Sequence, residues 1–272
     1  YQYQNKHIRE MIIDGLIQGG VDMTDGQSIY SYPYFLSIIP LAYNPKIENA
    51  LVIGLGAGTI PTRLEQNNII TDVVDIDAAV FDFAARYFDV KISGEKAIQD
   101  ARYFLLSSSK DYDLIILDVF NGDTTPGHLL SLEALQLVKL RLNEEGIVAI
   151  NLVGDIYSET YITASVVKTL QQVFSQVHLY PTANLEISEG RGNIALIAFD
   201  GDDRKIDIGQ LSENQISHYA RQEVMSYIDK RFEFTSDTAA MVLTDDYNPI
   251  DVFDIELRER VRQGILESTH WE

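Results

Sequence analysis

A turn of three glycines, set between a short apolar run and a helix, constrains this chain more than any other feature. Residues 49–59 read Asn-Ala-Leu-Val-Ile-Gly-Leu-Gly-Ala-Gly-Thr, and the apolar run is typical of a strand buried on both faces of a parallel sheet. A helix is predicted to follow over Thr59–Gln66. Gly54, Gly56 and Gly58 let the backbone turn sharply and approach a ligand without a side chain in between.

An acid follows this turn at the spacing expected for a nucleoside site. A second strand over residues 69–74 leads to Asp75, which stands 21 residues after Gly54. In sheets of this kind an acid about 20 residues after the turn hydrogen-bonds a ribose hydroxyl. The turn reads GxGxG, with Thr59 where the dinucleotide fingerprint has a small residue. The pattern therefore favours an adenosyl sulfonium ligand over NAD, and a glycine turn without a ligand is the alternative.

Composition excludes several kinds of site. The 272 residues are 46% hydrophobic, enough to bury the core of one large domain or of one domain with small additions. The chain has no cysteine, which excludes disulfides, thiolate metal sites and cysteine nucleophiles. Its five histidines are scattered, so we predict no metal site. No apolar run approaches the ~18 residues of a membrane helix, and no signal peptide is recognisable.

The charge balance bears on the partners. The net charge is −20, from 41 acids against 21 bases. Phosphate binding needs clustered Lys and Arg, so we expect no nucleic-acid partner. A cationic substrate would be attracted by such a field, although solubility alone would also explain the charge.

From residue 47 onward predicted strands and helices alternate, which indicates an α/β protein with a doubly wound, mainly parallel sheet. The later strands are expected at 97–99, 112–117, 146–152, 177–180 and 193–199, and the later helices at 78–88, 101–107, 131–142 and 160–174. Before this region we expect a small β-hairpin over 6–14 and 16–23, and a tyrosine-rich helix over 28–39 that Pro40 ends.

This pattern divides the chain into three parts. Residues 1–45 form the hairpin and the tyrosine-rich helix, and residues 46–205 form a nucleoside-binding catalytic domain. Residues 206–272 form a helical extension, with helices at 213–230 and 256–267.

Acids stand at the ends of several predicted strands. They are Asp75 with Asp77, Asp100 and Asp118, and ligands of open α/β sheets bind at these ends. Helix capping is the alternative explanation for Asp77 and Asp100, since each also begins a helix. Asp118 instead precedes a long irregular loop, which is typical of a functional position. A carboxylate there can orient an amine that attacks a sulfonium, stabilise its developing charge and accept its proton.

Residues from about 10 to 200 resemble the spermidine synthase (polyamine aminopropyltransferase) family, a branch of the Rossmann-like S-adenosylmethionine-dependent transferases. The resemblance is carried by Ile13-Asp14-Gly15-Leu16-Ile17-Gln18, Tyr30, the glycine turn, Val74-Asp75-Ile76-Asp77, Asp100-Ala101-Arg102-Tyr103-Phe104-Leu105 and Tyr112-Asp113-Leu114-Ile115-Ile116-Leu117-Asp118. It implies a class I transferase fold of this kind, a homodimer, and S-adenosylmethionine or its decarboxylated form as co-substrate.

The resemblance also implies roles for individual residues. Asp75, with Asp77 beside it, would hold the ribose, and Asp100 and Ala101 would meet the adenine. Gln18 and Tyr30 would face the sulfonium side chain and the acceptor, and Asp118 the attacking amine.

The chain departs from the spermidine-forming pattern at two places. Those relatives have Gly-Gly-Gly-Asp-Gly at the turn, whereas Ala57 stands at the acid's position here. Their second loop acid is Asn121 here, with Asp123 nearby. Residues 118–123 and Thr244-Asp245-Asp246-Tyr247-Asn248-Pro249 resemble instead a less studied branch that is often attached to membrane segments. We therefore assign Asn121, Asp123, Asp245 and Asp246 to the acceptor pocket.

Three hypotheses follow. The first is transfer of an aminopropyl group from decarboxylated S-adenosylmethionine to a small cationic amine, not necessarily putrescine. The second is an S-adenosylmethionine-dependent methyltransferase, which the loss of the acid at Ala57 favours. The third is a catalytically silent nucleoside-binding domain of a larger membrane protein, against which Asp118 argues. The chain starts at Tyr1 and not at methionine, so we expect a fragment or processed form, cytoplasmic, with a possible upstream membrane segment.

Overall fold

A seven-stranded sheet organises the chain, and a small antiparallel sheet precedes it. The computed structural model describes residues 2–3, 6–13, 15–119, 126–182, 188–206, 218–228, 230–250 and 252. The small sheet contains β1 (Gln2–Tyr3), β2 (Lys6–Ile13), β3 (Leu16–Asp22) and β4 (Gln27–Ser28), paired in chain order. The predicted hairpin is confirmed within one or two residues at each boundary.

Helix α1 (Tyr32–Tyr43) leads from the small sheet to the large one. The prediction that Pro40 ends this helix was wrong, because the helix runs three residues further and Asn44 N–H donates to the Pro40 carbonyl at 2.8 Å. A proline inside a helix costs ~3 kcal/mol. Here residues 33–43 are all buried, against neighbours that include β9 and β11 of the large sheet, and this burial outweighs that cost.

The large sheet and its helices follow the predicted alternation. In chain order they are β5 (Asn49–Ile53), α2 (Thr59–Gln66), β6 (Ile70–Asp75), α3 (Ala78–Phe88), β7 (Lys96–Ile98), α4 (Ala101–Ser107), β8 (Tyr112–Leu117), α5 (Leu132–Leu140), β9 (Leu142–Asp155), α6 (Tyr161–Leu170), β10 (Gln176–Pro181), β11 (Arg191–Phe199) and α7 (His218–Tyr227). A 3₁₀ turn (Gly127–Leu129) precedes α5. The predicted doubly wound fold is confirmed.

The strand order is β10-β11-β9-β8-β5-β6-β7. Strands β9, β8, β5, β6 and β7 pair in parallel, and β11 pairs antiparallel with both β9 and β10. The order reverses between β5 and β8, so the crevice for a ligand lies at the carboxyl ends of these two strands. The glycine turn follows β5, and Asp118 follows β8.

The core has one layer on each face of the large sheet. Alternate residues of β5 enter different layers: Val52 packs with residues of α1 and α2, and Leu51 with residues of α4, α5 and α6. This burial of both faces explains the continuous apolar run in the sequence. Within the part of the chain that the structure describes, no helix is long and apolar enough to span a bilayer. The predicted helix at 256–267 lies outside the described residues, and the division into three parts stays a prediction.

Candidate active site

The glycine turn is held in close contact with two neighbouring segments. Gly54 has φ +89°, and a Cβ there would lie 2.1 Å from the backbone oxygen of Asp118. Gly56 has φ +48°, and a Cβ there would lie 2.6 Å from the carbonyl oxygen of Gln18. The two glycines therefore let the chain bring together Gln18 of β3 and Asp118, which follows β8.

A cleft of about 590 Å³ opens at this place, at the carboxyl ends of β5, β6 and β8. Nine of the sequence-predicted residues line it: Gln18, Tyr30, Gly54, Gly56, Asp75, Asp77, Asp100, Ala101 and Asp118. Gly58 does not line it; this glycine begins α2 with φ +71°, and a Cβ there would meet Val90. The described part of the wall contains four aspartates and no lysine or arginine, so the cleft is anionic.

Asp75 is fixed by the backbone around it. Its Oδ2 accepts the N–H of Leu55 at 2.8 Å, and its Oδ1 accepts the N–H of Asp77 at 2.9 Å. Burial raises the pKa of Asp75, and the bonds from these N–H groups oppose that rise. The carboxylate is therefore oriented between the glycine turn and the end of β6, where a ribose is expected.

Asp77 and Asp100 both cap helices, as the alternative explanation required. Asp77 Oδ1 accepts the N–H of Ala79 at 2.8 Å, and Asp100 Oδ1 accepts the N–H of Tyr103 at 3.1 Å. Asp100 Oδ2 also lies 3.4 Å from His128 Nε2. Since both carboxylates line the cleft as well, capping orients them without removing them from a ligand's reach.

Asp118 is held by a network of side-chain hydrogen bonds. Its Oδ1 accepts a hydrogen bond from Asn151 Nδ2 at 2.9 Å, and the Tyr32 hydroxyl donates to the same carboxylate. Asn193 Nδ2 in turn donates to Asn151 Oδ1 at 2.9 Å, which fixes the orientation of that amide. Burial raises the pKa of Asp118 to about 6, although both hydrogen bonds oppose the rise. A carboxylate with this pKa can accept a proton near neutral pH.

Sequence reasoning missed three of these residues. Tyr32 entered only as one member of a tyrosine-rich helix, and Tyr30 was assigned to the acceptor. In the structure the Tyr30 hydroxyl donates to Glu10, and it is Tyr32 that reaches Asp118. Burial, and then the Asp118 charge, raise the pKa of Tyr32, so its hydroxyl remains a donor. Asn151 and Asn193 were not assigned, although Asn151 is a polar residue inside the apolar run of β9, a pattern that signals a buried partner.

Of the four residues assigned to the acceptor pocket, the structure describes only Asp245 and Asp246, and neither lines the cleft. Asn121 and Asp123 lie outside the described residues. Asp245 does not line the cleft, because Arg102 holds its carboxylate in a two-pronged ion pair at 2.7 and 2.8 Å. Asp246 is exposed and likewise does not line the cleft.

Comparison with known proteins decides the family. A model of the spermine/spermidine synthase domain matches residues 29–190, more than half of the chain. The chain belongs to the spermine/spermidine synthase family. Members of this family are transferases, and membership implies a co-substrate of the S-adenosylmethionine type and an amine acceptor. The resemblance stated from the sequence is thereby confirmed.

Curated relatives of this family member carry two kinds of name. An N-terminal histidine N-methyltransferase of Emericella nidulans is 39% identical over 140 residues, which are 50% of this chain and 25% of that protein. A polyamine aminopropyltransferase of Vibrio vulnificus is 31% identical over 175 residues, which are 61% of this chain and 56% of that protein. The chain thus spans between a quarter and little more than half of these relatives' lengths.

Solved structures agree on the fold. A probable spermidine synthase from Corynebacterium glutamicum superposes with a TM-score of 0.67 at 20% identity, covering 83% of this chain and 82% of that one. Human methyltransferase-like protein 13, in complex with SAH, superposes with a TM-score of 0.52 at 21% identity, covering 76% and 94%. The same fold therefore occurs in a probable spermidine synthase and in a methyltransferase-like protein.

Proposed function

We propose that this chain transfers the methyl group of S-adenosylmethionine to an amine nitrogen. The observation that carries the proposal is Ala57. Relatives that make spermidine place an aspartate at this position of the turn, where it can meet the terminal ammonium of the aminopropyl group. Here Ala57 is 3% exposed and does not line the cleft. The turn therefore has no charge for that contact. The 39% identity to an N-methyltransferase supports the same choice.

The residues of the cleft suit such a displacement. The amine would attack the sulfonium carbon in line, the carbon–sulfur bond would break, and the nitrogen would become positively charged. Asp118 would stabilise that charge and take the proton, while Asn151 and Tyr32 hold its carboxylate in place. The backbone-bonded Asp75 would hold the ribose.

Aminopropyl transfer is the second candidate, because one observation favours it. The described wall of the cleft has four aspartates and no lysine or arginine. Decarboxylated S-adenosylmethionine lacks the carboxylate of the ordinary co-substrate and is more cationic, so an anionic cleft would attract it more strongly.

A donor and acceptor matrix separates the two candidates. The protein would be incubated with S-adenosylmethionine or its decarboxylated form, each in the presence of putrescine or of a peptide that begins with histidine. Mass spectrometry would identify the products. We expect a methyl group to be added, from S-adenosylmethionine only. Addition of an aminopropyl group would instead establish the second candidate, and transfer from neither donor would leave a domain without this activity.

Replacing Asp75 by alanine should weaken binding of adenosyl ligands by about 1.5–3 kcal/mol, the range for a hydrogen bond to a charged group. Calorimetry with S-adenosylhomocysteine and methylthioadenosine measures the change. The matched control is Asp113→Ala, since Asp113 Oδ2 also accepts two backbone N–H groups, those of Glu48 and Asn49, both at 3.0 Å. Those bonds lie at the opposite end of β5. Equal affinity losses in both variants would mean that Asp75 has only a structural role.

The activity should rise with pH through about 6. Asp118 must be ionised to accept the proton, and burial raises its pKa to about 6. Below that value kcat/KM should therefore fall about tenfold for each pH unit. The acceptor's own titration is separated by measuring two acceptors with different pKa values. A fall in kcat/KM below about pH 6 that is the same with both acceptors belongs to the enzyme. If the only fall in the pH profile shifts with the pKa of the acceptor, Asp118 is not the group that accepts the proton.

A further inference from the structure

Residues 243–250, here named the strap, pack against residues 127–132, the segment that leads from the cleft wall into α5. The strap starts and ends in the core, at Leu243 and Ile250. At its start, Leu243 N–H donates to Thr169 Oγ1 at 2.9 Å, and the Leu243 carbonyl accepts the N–H of Leu132 at 2.8 Å. The strap is therefore bound to α6 and to the beginning of α5.

Two side chains of the strap hold the segment before α5. Asn248 Nδ2 donates to the Gly127 carbonyl at 2.7 Å. Asp245 Oδ1 accepts the Ser131 hydroxyl at 2.6 Å, and Asp245 N–H donates to Glu133 at 2.9 Å. Both ends of the segment 127–131 are thus attached to the strap.

Arg102 joins the strap to the helix that carries the predicted adenine contacts. Its two terminal nitrogens bind the two oxygens of Asp245 at 2.8 and 2.7 Å, and one of them also reaches the His128 carbonyl at 3.3 Å. The hydrogen bond from Arg102 lowers the pKa of Asp245 to about 2, so the pair stays charged in ordinary buffers. Arg102 follows Asp100 and Ala101 directly, and both of those residues line the cleft.

The segment held in this way forms part of the cleft wall. Pro126, His128 and Leu129 all line the cleft, and His128 Nε2 lies 3.4 Å from Asp100 Oδ2. An exposed ion pair contributes ~0–1 kcal/mol to stability. Stability alone therefore does not require a two-pronged ion pair, a hydroxyl bond and a backbone bond at one carboxylate.

We propose that Arg102, Asp245 and Asn248 are positioning residues that fix the His128 side of the cleft against Asp100 and Ala101, and so set the affinity for the adenosyl ligand. The inference rests on the proposed function in taking that ligand to be an adenosyl compound. It gives Asp245 a different task from the acceptor contact expected from the sequence.

The test compares Asp245→Asn and Asn248→Ala with Asp200→Asn in the whole chain. Asp200 is the matched control, because its pair with Lys139 has the same 2.7 Å separation and its side chain is 42% exposed, against 40% for Asp245. Calorimetry with S-adenosylhomocysteine and methylthioadenosine measures affinity. Hydrogen exchange measures the protection of the Leu129, Leu130 and Leu132 amides, which all donate backbone hydrogen bonds. The double variant Arg102→Asp, Asp245→Arg restores a pair of reversed sign.

The expected result is an affinity about tenfold lower in both strap variants, the equivalent of one net hydrogen bond. Protection of the three amides should fall as well, and the reversed pair should recover part of both losses. The control should change neither quantity. An affinity or a protection that is unchanged relative to the control overturns the inference. If the parent chain binds no adenosyl ligand, the proposed function fails, and the exchange measurement then decides by itself if the strap fixes this wall.

Discussion

Replacing Asp118 by asparagine should lower turnover by roughly 10²–10⁴-fold, the usual contribution of general acid–base catalysis. The substitution keeps the shape of the side chain and removes its negative charge and its ability to accept a proton. The asparagine oxygen can still accept from Asn151 Nδ2, which lies 2.9 Å from Asp118 Oδ1. Its amide can also still pair with the Tyr32 hydroxyl. The loss should therefore fall on the chemical step.

Stability should change in the opposite direction, and this makes the result diagnostic. Burial raises the pKa of Asp118 to about 6 in the folded chain, above the ~3.9 of an unfolded aspartate. The folded state thus favours the protonated acid, and the free energy of unfolding falls as the pH rises from about 4 to about 6. Asparagine resembles the protonated acid and escapes this loss. At pH 7 the variant should be at least as stable as the parent.

Three measurements check this prediction together: turnover with the acceptor found active, calorimetry with S-adenosylhomocysteine, and urea unfolding at pH 4 and pH 7. We expect lower turnover, little change in nucleoside affinity and undiminished stability at pH 7. Turnover equal to that of the parent would show that Asp118 takes no part in the reaction. A loss of turnover accompanied by an equal loss of stability would mean that the side chain has a structural role.

The parts of the site that could be predicted from the sequence are those governed by local rules. Composition and spacing are enough to predict a strand that ends in glycines and another that ends in an acid. For this reason Gly54, Gly56, Asp75 and Asp118 were expected in one cleft, and all four line it. The alternation of strands and helices fixed the sheet in the same way.

The parts that could not be predicted depend on contacts between distant segments. Asn151 of β9 donates to Asp118, and Asn193 of β11 donates to Asn151. Only the register of β9 and β11 brings the two amides together. The local rule that a proline ends a helix failed at Pro40, because burial of α1 outweighed the missing hydrogen bond. Asp245 looked like a ligand for a cation, but its partner is Arg102, which stands 143 residues earlier in the chain. Sequence spacing carries no information about such a pair.

Gly54→Ala should destabilise the chain by about 2–6 kcal/mol, even without any ligand. A non-glycine residue in the left-handed region costs of order 1–3 kcal/mol, and Gly54 has φ +89°. Overpacking adds typically 1–3 kcal/mol, and a Cβ here would lie 2.1 Å from the Asp118 backbone oxygen. The contact is with backbone and not with a flexible side chain, so β5 and β8 would have to separate at their carboxyl ends.

Gly26→Ala is the matched control, because it separates the two contributions. Gly26 has φ +70°, and a Cβ there would meet no atom within 4 Å. Its substitution should therefore carry only the backbone cost, of order 1–3 kcal/mol. Urea unfolding of both variants without ligand gives the difference, which measures the close approach of Asp118. The sequence alone suggests that glycine is needed for the approach of a ligand. If that were the whole reason, the two variants would lose equal stability, and only Gly54→Ala would lose affinity for an adenosyl compound. A larger loss at Gly54 in the absence of ligand would show that glycine is needed here for the close approach of the Asp118 backbone, which places its carboxylate at the cleft.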